Sequence, residues 1–243
     1  MKVLAIVQAR TGSSRLPNKV MKKLGGKTAI EVLFSRLNKS KKINHIILAT
    51  SDLQRDDVLA QHISNLGFDV FRGSEKNVLN RFFEASKLYD VEAIVRITGD
   101  CPIIEASIID KMLEIFKNSN ADYISNIDPP TFPDGLDVEI FTKSSLELVH
   151  DLALSQFDRE HVTPYYRCSD IFKKECYENK TDMSDYRFTL DEESDYLFLE
   201  GVFKHFSPDI FFNWQEVINV MKSNTNIIKL NQKIQRNEGS KNG

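Results

Sequence analysis

Val3-Leu4-Ala5-Ile6-Val7 runs directly into Gln8-Ala9-Arg10-Thr11-Gly12-Ser13-Ser14-Arg15-Leu16-Pro17-Asn18-Lys19. Five consecutive apolar residues have no polar face, so they fit a strand covered on both sides, as in a parallel sheet flanked by helices. The next twelve residues reverse the chemistry, with one glycine, three hydroxyls, two arginines and a lysine. Small residues leave backbone N–H groups open to an anion, and guanidinium groups add paired hydrogen bonds to its oxygens. Together the two stretches predict a buried first strand that delivers a polyanion-binding loop.

The same alternation continues down the chain. Ala29, Ile30, Leu33, Phe34 and Leu37 recur at helical spacing, and Ile43 to Ala49 reads as a second buried strand. Helical spacing returns around Val58–Leu66, Val78–Leu88 and Ser107–Phe116, with strand-like runs at Phe68–Phe71, Ala93–Thr98 and Ala121–Ser125. This order predicts the α/β class, with a mostly parallel, Rossmann-like sheet and right-handed crossovers. Ligands of such sheets bind at the carboxyl ends of strands, which singles out the loops 8–19, 50–52, 72–77 and 98–102. Three prolines within Asp128–Gly135 break the pattern. The less regular stretch 136–182 reads as an inserted arm. A strand at Arg187–Leu190 and helices at 192–206 and 214–221 complete a single domain of residues 1–223, followed by a polar tail, 224–243, whose end is expected to be mobile.

With 243 residues, 41% of them hydrophobic, the chain can bury a core that needs no disulfide or metal staple. A net charge of −3 excludes a uniformly basic nucleic-acid binder. Residues 1–50 nevertheless carry eleven Lys and Arg against one acid, Glu31, which concentrates positive charge around the first loop. Three cysteines without a CxxC spacing argue against zinc and for a reducing compartment. No apolar run is long enough for a secretory leader or a bilayer span, so a cytoplasmic protein without a membrane partner is expected.

Several residues could carry chemistry. In Thr98-Gly99-Asp100-Cys101-Pro102, Gly99 lets the backbone approach a ligand, and a lone carboxylate at a strand end suits either Mg²⁺ or a turn. Asp191 could cap the following helix or serve as a second Mg²⁺ ligand. Asp137 and Glu139 share one face of a strand at period two. His161 sits in a polar and aromatic segment, 158–167, that suits a binding site or a subunit contact. Gly25-Gly26-Lys27-Thr28 mimics the end of a P-loop, but Met21 stands where that motif needs glycine, and no GxGxxG is present.

Taken in order, Q-A-R-x-G-S-x-R-L-P-x-K, Arg72-Gly73-Ser74, Arg96-Ile-Thr-Gly-Asp100-Cys-Pro, Pro133-Asp-Gly-Leu-Asp-Val-Glu139, Arg159-Glu-His-Val-Thr-Pro-Tyr165 and Arg187-x-Thr-x-Asp191 resemble the spore-coat polysaccharide biosynthesis protein F family. That family is similar to the CMP-sugar-acid synthetases, and the resemblance spans residues 1 to about 205. It implies a GT-A-like nucleotide-diphospho-sugar transferase fold, with CTP, a sugar acid and Mg²⁺ as partners, and a homodimer formed through the region after Gly135. It implies that Arg10, Gly12, Ser13, Arg15 and Lys19 hold the triphosphate, with Arg15 and Lys19 stabilising the departing pyrophosphate. Asp100 and Asp191 would hold the metal, and Gly99 would lie beside the nucleotide. Arg72, Gly73, Ser74 and Arg81 fall where relatives contact base and ribose, and Asp137, Glu139 and His161 fall toward the acceptor. A glycosyltransferase using a nucleotide sugar, a sugar-1-phosphate nucleotidylyltransferase and a non-enzymatic binding module stay open at this point.

Overall fold

The computed structural model describes residues 1–223 together with 230, 231, 234 and 236. β1 (Val3–Gln8) leads through a loop to a short hairpin, β2 (Lys23–Leu24) and β3 (Lys27–Thr28), so the Gly25-Gly26-Lys27-Thr28 stretch is a turn rather than a phosphate loop. Thr28 then caps α1 (Ala29–Leu37) by accepting from the Glu31 backbone N–H. β4 (His45–Ser51), α2 (Asp57–Asn65), β5 (Asp69–Gly73), α3 (Val78–Lys87), β6 (Ala93–Thr98) and α4 (Ala106–Ser119) continue the alternation. β7 (Tyr123–Ser125), β8 (Glu139–Thr142), α5 (Lys143–Leu152), α6 (Gln156–His161), α7 (Pro164–Cys168), β9 (Lys174–Cys176), α8 (Glu193–Phe206) and α9 (Trp214–Ser223) follow.

Seven strands form the central sheet in the order β5-β4-β1-β6-β8-β7-β9. β5, β4, β1 and β6 are parallel, β8 runs antiparallel to both β6 and β7, and β9 is parallel to β7. The α/β reading and the mostly parallel sheet therefore hold. β1 shows why its apolar run is unbroken. Val3, Ala5 and Val7 enter the core on one face of the sheet, while Leu4 and Ile6 enter the core on the other. Burial of a side chain such as Leu4 or Ile6 contributes about 1.5–3 kcal/mol relative to exposure.

The stretch 136–182 departs from an inserted arm. Its first part is β8, which lies between β6 and β7, and β9 forms the sheet edge. Leu136, Val138, Ile140 and Phe141 are fully buried there, although the acids interleaved with them mask the strand pattern. Arg187–Leu190 is not a ladder strand but makes a single bridge, Asp134 to Arg187. Gly135 explains the arrangement. A Cβ at that position would lie 2.6 Å from the backbone of Phe188 and Thr189, so only glycine lets the two segments meet. The 224–243 tail falls largely outside the described residues. Of the part described, Asn231 is buried, its Nδ2 donating to the Arg187 carbonyl and to Asp195 Oδ1, both at 3.1 Å.

Candidate active site

A cleft of about 560 Å³ opens at the carboxyl ends of β1 and β6, lined by the loop after β1 and by the Thr98–Cys101 turn. The loop is fixed from beneath by a residue that the sequence did not single out. Asp56 is fully buried and accepts from the Thr11 backbone N–H at 2.6 Å and from Thr11 Oγ1 at 2.7 Å, and Ser51 Oγ also donates to it. Asn18 N donates back to the Thr11 carbonyl at 3.0 Å, which closes the loop before Lys19. Gly12 lies under the Arg55 guanidinium, and Ser13 Oγ accepts from Leu16 N at 3.4 Å. Arg10 pairs with Glu75 at 3.4 Å.

Lys19 brings the acids together. Its Nζ donates to Asp100 Oδ2 at 2.8 Å and to Asp191 Oδ1 at 2.7 Å, so those oxygens are no farther apart than the two lengths laid end to end. Arg15 reaches Asp191 at 3.3 Å and Glu192 at 3.5 Å, so it too turns into the cleft. Backbone contacts enforce the convergence. Leu190 N donates to the Asp100 carbonyl at 2.8 Å, and Thr189 Oγ1 donates to it at 3.3 Å. Burial alone would push Asp100 up, but the Lys19 ammonium holds it well below the usual carboxylate range. Burial would lower Lys19, and the two carboxylates reverse this and raise it.

Asp191 is not the helix cap. Glu192 caps α8 in a reciprocal box with Asp195, which leaves the Asp191 side chain free to face the cleft. Arg187 orients it. This buried guanidinium grips Asp195 with two bonds of 2.9 Å, donates to Asp134 at 2.8 Å and reaches Asp191 Oδ2 at 3.4 Å. Gly99 approaches the chain itself. Its N–H donates to the Gln8 carbonyl at 2.8 Å, and a Cβ on it would lie 2.6 Å from Ala9 Cβ. Gly99→Ala is therefore expected to displace the 9–18 loop, lowering Tm by roughly 5 °C.

The residues expected to contact base and ribose divide. Arg72 donates to the Ser51 and Leu53 carbonyls, both at 3.0 Å, and pairs with Asp57 at 2.6 Å, so it braces loops and does not line the cleft. Gly73 and Ser74 do not line it either, although the Ser74 carbonyl accepts from Arg81 Nη1 at 3.0 Å. Arg81 does line the cleft. It is buried, its Nε has no partner among the described residues, and burial together with the neighbouring Arg10 charge lowers it to about 10.

At the far wall, Asp137, Glu139 and His161 all line the cleft. Glu139 is already engaged, accepting from Arg96 and from the Tyr123 hydroxyl, with Arg167 at 3.8 Å. Burial would raise it, yet Arg96 and Arg167 hold it below the usual carboxylate range. Its direct part is to steady those two arginines. Burial chiefly pushes Asp137 up to about 7, against the pull of Arg236. His161 is lowered by burial, then by the like charges of Arg96 and Arg167, with Glu160 opposing. Arg96 was within reach of the sequence, because an arginine inside an otherwise apolar strand needs a partner. Arg167 and Asp134 lie inside stretches the sequence marked without being singled out themselves, and Arg236 gave no local signal.

Cations from an early loop and acids from two distant segments meet in this one cleft, which makes the chain an α/β protein with a densely charged cleft at the carboxyl ends of its strands. A cytidylyltransferase family profile matches residues 4–231, and the chain belongs to that family. It is 31% identical over 232 residues to the spore coat polysaccharide biosynthesis protein SpsF of Bacillus subtilis, covering 91% of this chain and 95% of that one. Over 120 residues it is 34% identical to a 3-deoxy-manno-octulosonate cytidylyltransferase of Flavobacterium johnsoniae, 49% of this chain and 48% of that one. The solved structure of a cytidylyltransferase from Leptospira borgpetersenii superposes with a TM-score of 0.90 at 35% identity, covering 94% of this chain and 97% of that one.

Proposed function

We propose that this cytidylyltransferase moves CMP from CTP to a sugar acid and releases pyrophosphate, in support of surface-polysaccharide assembly. The observation that carries the reading is the meeting of Asp100 and Asp191 on one cation, Lys19, beside the basic loop. Two carboxylates within reach of a single positive centre fit Mg²⁺, which takes one or two such ligands and completes its shell with phosphate oxygens and waters. When bound, Mg²⁺ supplies charge neutralisation and makes a hydroxyl in its shell more acidic. The nucleotide triphosphate would lie along Arg10, Gly12, Ser13, Arg15 and Lys19, with Arg15 and Lys19 stabilising the charge that develops on the leaving pyrophosphate. Arg81, buried near Arg10 and lining the same cleft, supports a base pocket there. The anomeric hydroxyl of the acceptor would attack the α-phosphorus in line, and positioning would carry most of the rate.

The far wall supports an acidic, hydroxylated acceptor. Arg96 and Arg167 share one carboxylate, Glu139, so two guanidinium groups face the cleft with one balancing anion between them. A carboxylate of the acceptor, beside His161, fits that imbalance, and Asp137 offers an acceptor for sugar hydroxyls. The reversed β8 between β6 and β7 supports reading the fold as the GT-A-like type. Exposed Leu148 and Leu152, one turn apart on α5, with exposed Leu154 and Ile171 in the same stretch of chain, support pairing of two copies through the region after Gly135. No helix among the described residues is long and apolar enough to cross a membrane, and we place the enzyme in the cytoplasm.

The test is pyrophosphate release with each of the four nucleoside triphosphates and a panel of 2-keto sugar acids, with the product mass measured. CTP-dependent, acceptor-dependent release that needs Mg²⁺ is expected. Equal use of all four nucleotides, or consumption of a nucleotide sugar instead, would sink the reading. In the same assay Arg167→Met should raise the acceptor KM by about 30-fold and leave the CTP KM within about twofold, the cost of one charged hydrogen-bond partner.

A further inference from the structure

Three carboxylates follow one another along the far wall, Asp134, Asp137 and Glu139, and each has its own arginine. Arg187 serves Asp134 at 2.8 Å, and Arg96 serves Glu139. Asp137 Oδ1 accepts from Nη2 of Arg236, which lies beyond α9 in the chain and also donates from Nη1 to the Phe132 carbonyl at 3.1 Å. Neither of the other arginines is free to replace it. Arg187 is also committed to Asp195, and Arg96 also to Gln8 at 3.0 Å. Arg236 and Asp137 both line the cleft, and Asp137 Oδ2 has no hydrogen-bond partner among the described residues.

We propose that Arg236 is a positioning residue of the acceptor side, which holds Asp137 by one oxygen, favours its ionised form and leaves its second oxygen to accept a hydroxyl of the bound sugar. The hydroxyl's identity rests on the transferase reading, whereas the hold of Arg236 on Asp137 does not. A carboxylate in a half-enclosed site beside two like charges takes up a proton unless a cation opposes it. The protonated form would offer an O–H where an anionic acceptor is wanted. Asp134 and Glu139 flank Asp137 on its own segment, the Cys101 thiol after the neighbouring β6 feels its charge, and among the described residues Arg236 is the cation that pulls against them. Arg187 stands behind Asp134, and Arg96 behind Glu139.

The whole chain, labelled with ¹³C at the aspartate carboxyls, would be titrated by NMR, with Asp137 assigned as the resonance lost in Asp137→Asn. The Asp137 midpoint should rise by more than about one pH unit in Arg236→Gln and return to within about half a unit of the wild type in Arg236→Lys. An unmoved midpoint in Arg236→Gln overturns the proposal. Arg236 belongs to neither hydrophobic cluster of the sheet, so the domain should fold in both variants. With 3-deoxy-manno-octulosonate as the probe acceptor, Arg236→Gln should raise its KM about tenfold at pH 7 and spare the CTP KM. The deficit should shrink at pH 9, where Asp137 ionises without help, and the Asp137→Asn/Arg236→Gln double variant should be no worse than Asp137→Asn alone. Independent, multiplying losses would also overturn the proposal. If the wild type does not use this probe, the sugar-acid reading loses support while the titration still decides the role of Arg236.

Discussion

Asp100→Asn is expected to lower turnover by about 10³-fold, equivalent to about 4 kcal/mol of transition-state stabilisation. The substitution is nearly isosteric, so the Leu190 N–H and Thr189 hydroxyl keep their hold on the backbone carbonyl and the turn stays in place. What disappears is the charge opposite Asp191. Stability should respond only where that charge exists. Asp100 is held below the usual range in the folded protein, so its favourable contribution is present above pH ~4, the unfolded value, and is lost as pH falls through the lowered folded value. The Tm difference between wild type and Asp100→Asn should therefore be largest near neutral pH and vanish in strong acid. Turnover within about tenfold of wild type would remove Asp100 from the reacting centre.

Lys19→Met should show a second, opposite-signed effect besides its loss of activity. Steady-state turnover with CTP is expected to fall by about 10²–10³-fold, because a preorganised cation beside the leaving group is gone. At the same time the variant leaves Asp100 and Asp191 facing each other without their shared cation, with Arg15 at 3.3 Å and Arg187 at 3.4 Å balancing Asp191 alone. Two unneutralised carboxylates attract a divalent cation more strongly than a pair already bridged by an ammonium. Binding of Mn²⁺ without nucleotide, followed by electron paramagnetic resonance, should therefore tighten by about tenfold or more in Lys19→Met. Unchanged turnover would exclude Lys19 from the phosphate site, and weaker Mn²⁺ binding would exclude it from the space between the acids.

The parts of the molecule that were legible in the sequence are those fixed locally. The apolar run 3–7 could only be a doubly covered strand, and the basic, small-residue loop behind it could only face solvent or an anion. Convergence was less legible, because it depends on a backbone hydrogen bond between Leu190 and Asp100, segments far apart in the chain. The sequence offers Asp191 as the cap of the following helix, and only the reciprocal bond between Glu192 and Asp195 moves that role to Glu192 and releases Asp191. Arg72 illustrates the converse. A basic residue after a strand can brace carbonyls as readily as it can meet a ligand, and here it braces the 51–57 turn. Asp137 precedes β8 while Glu139 opens it, and both line the cleft, but which arginine neutralises each is settled only by tertiary contacts, one of them from a segment whose composition reads as a plain polar tail.

Crystals grown with CTP and Mn²⁺, measured for anomalous scattering at the manganese edge, test the convergence of loop and acids most directly. One Mn²⁺ peak is expected within ~2.2 Å of carboxylate oxygens from both Asp100 and Asp191, with Arg15 and Lys19 on the phosphates. A manganese ion bound elsewhere, or a triphosphate lying away from the 9–19 loop, would contradict it.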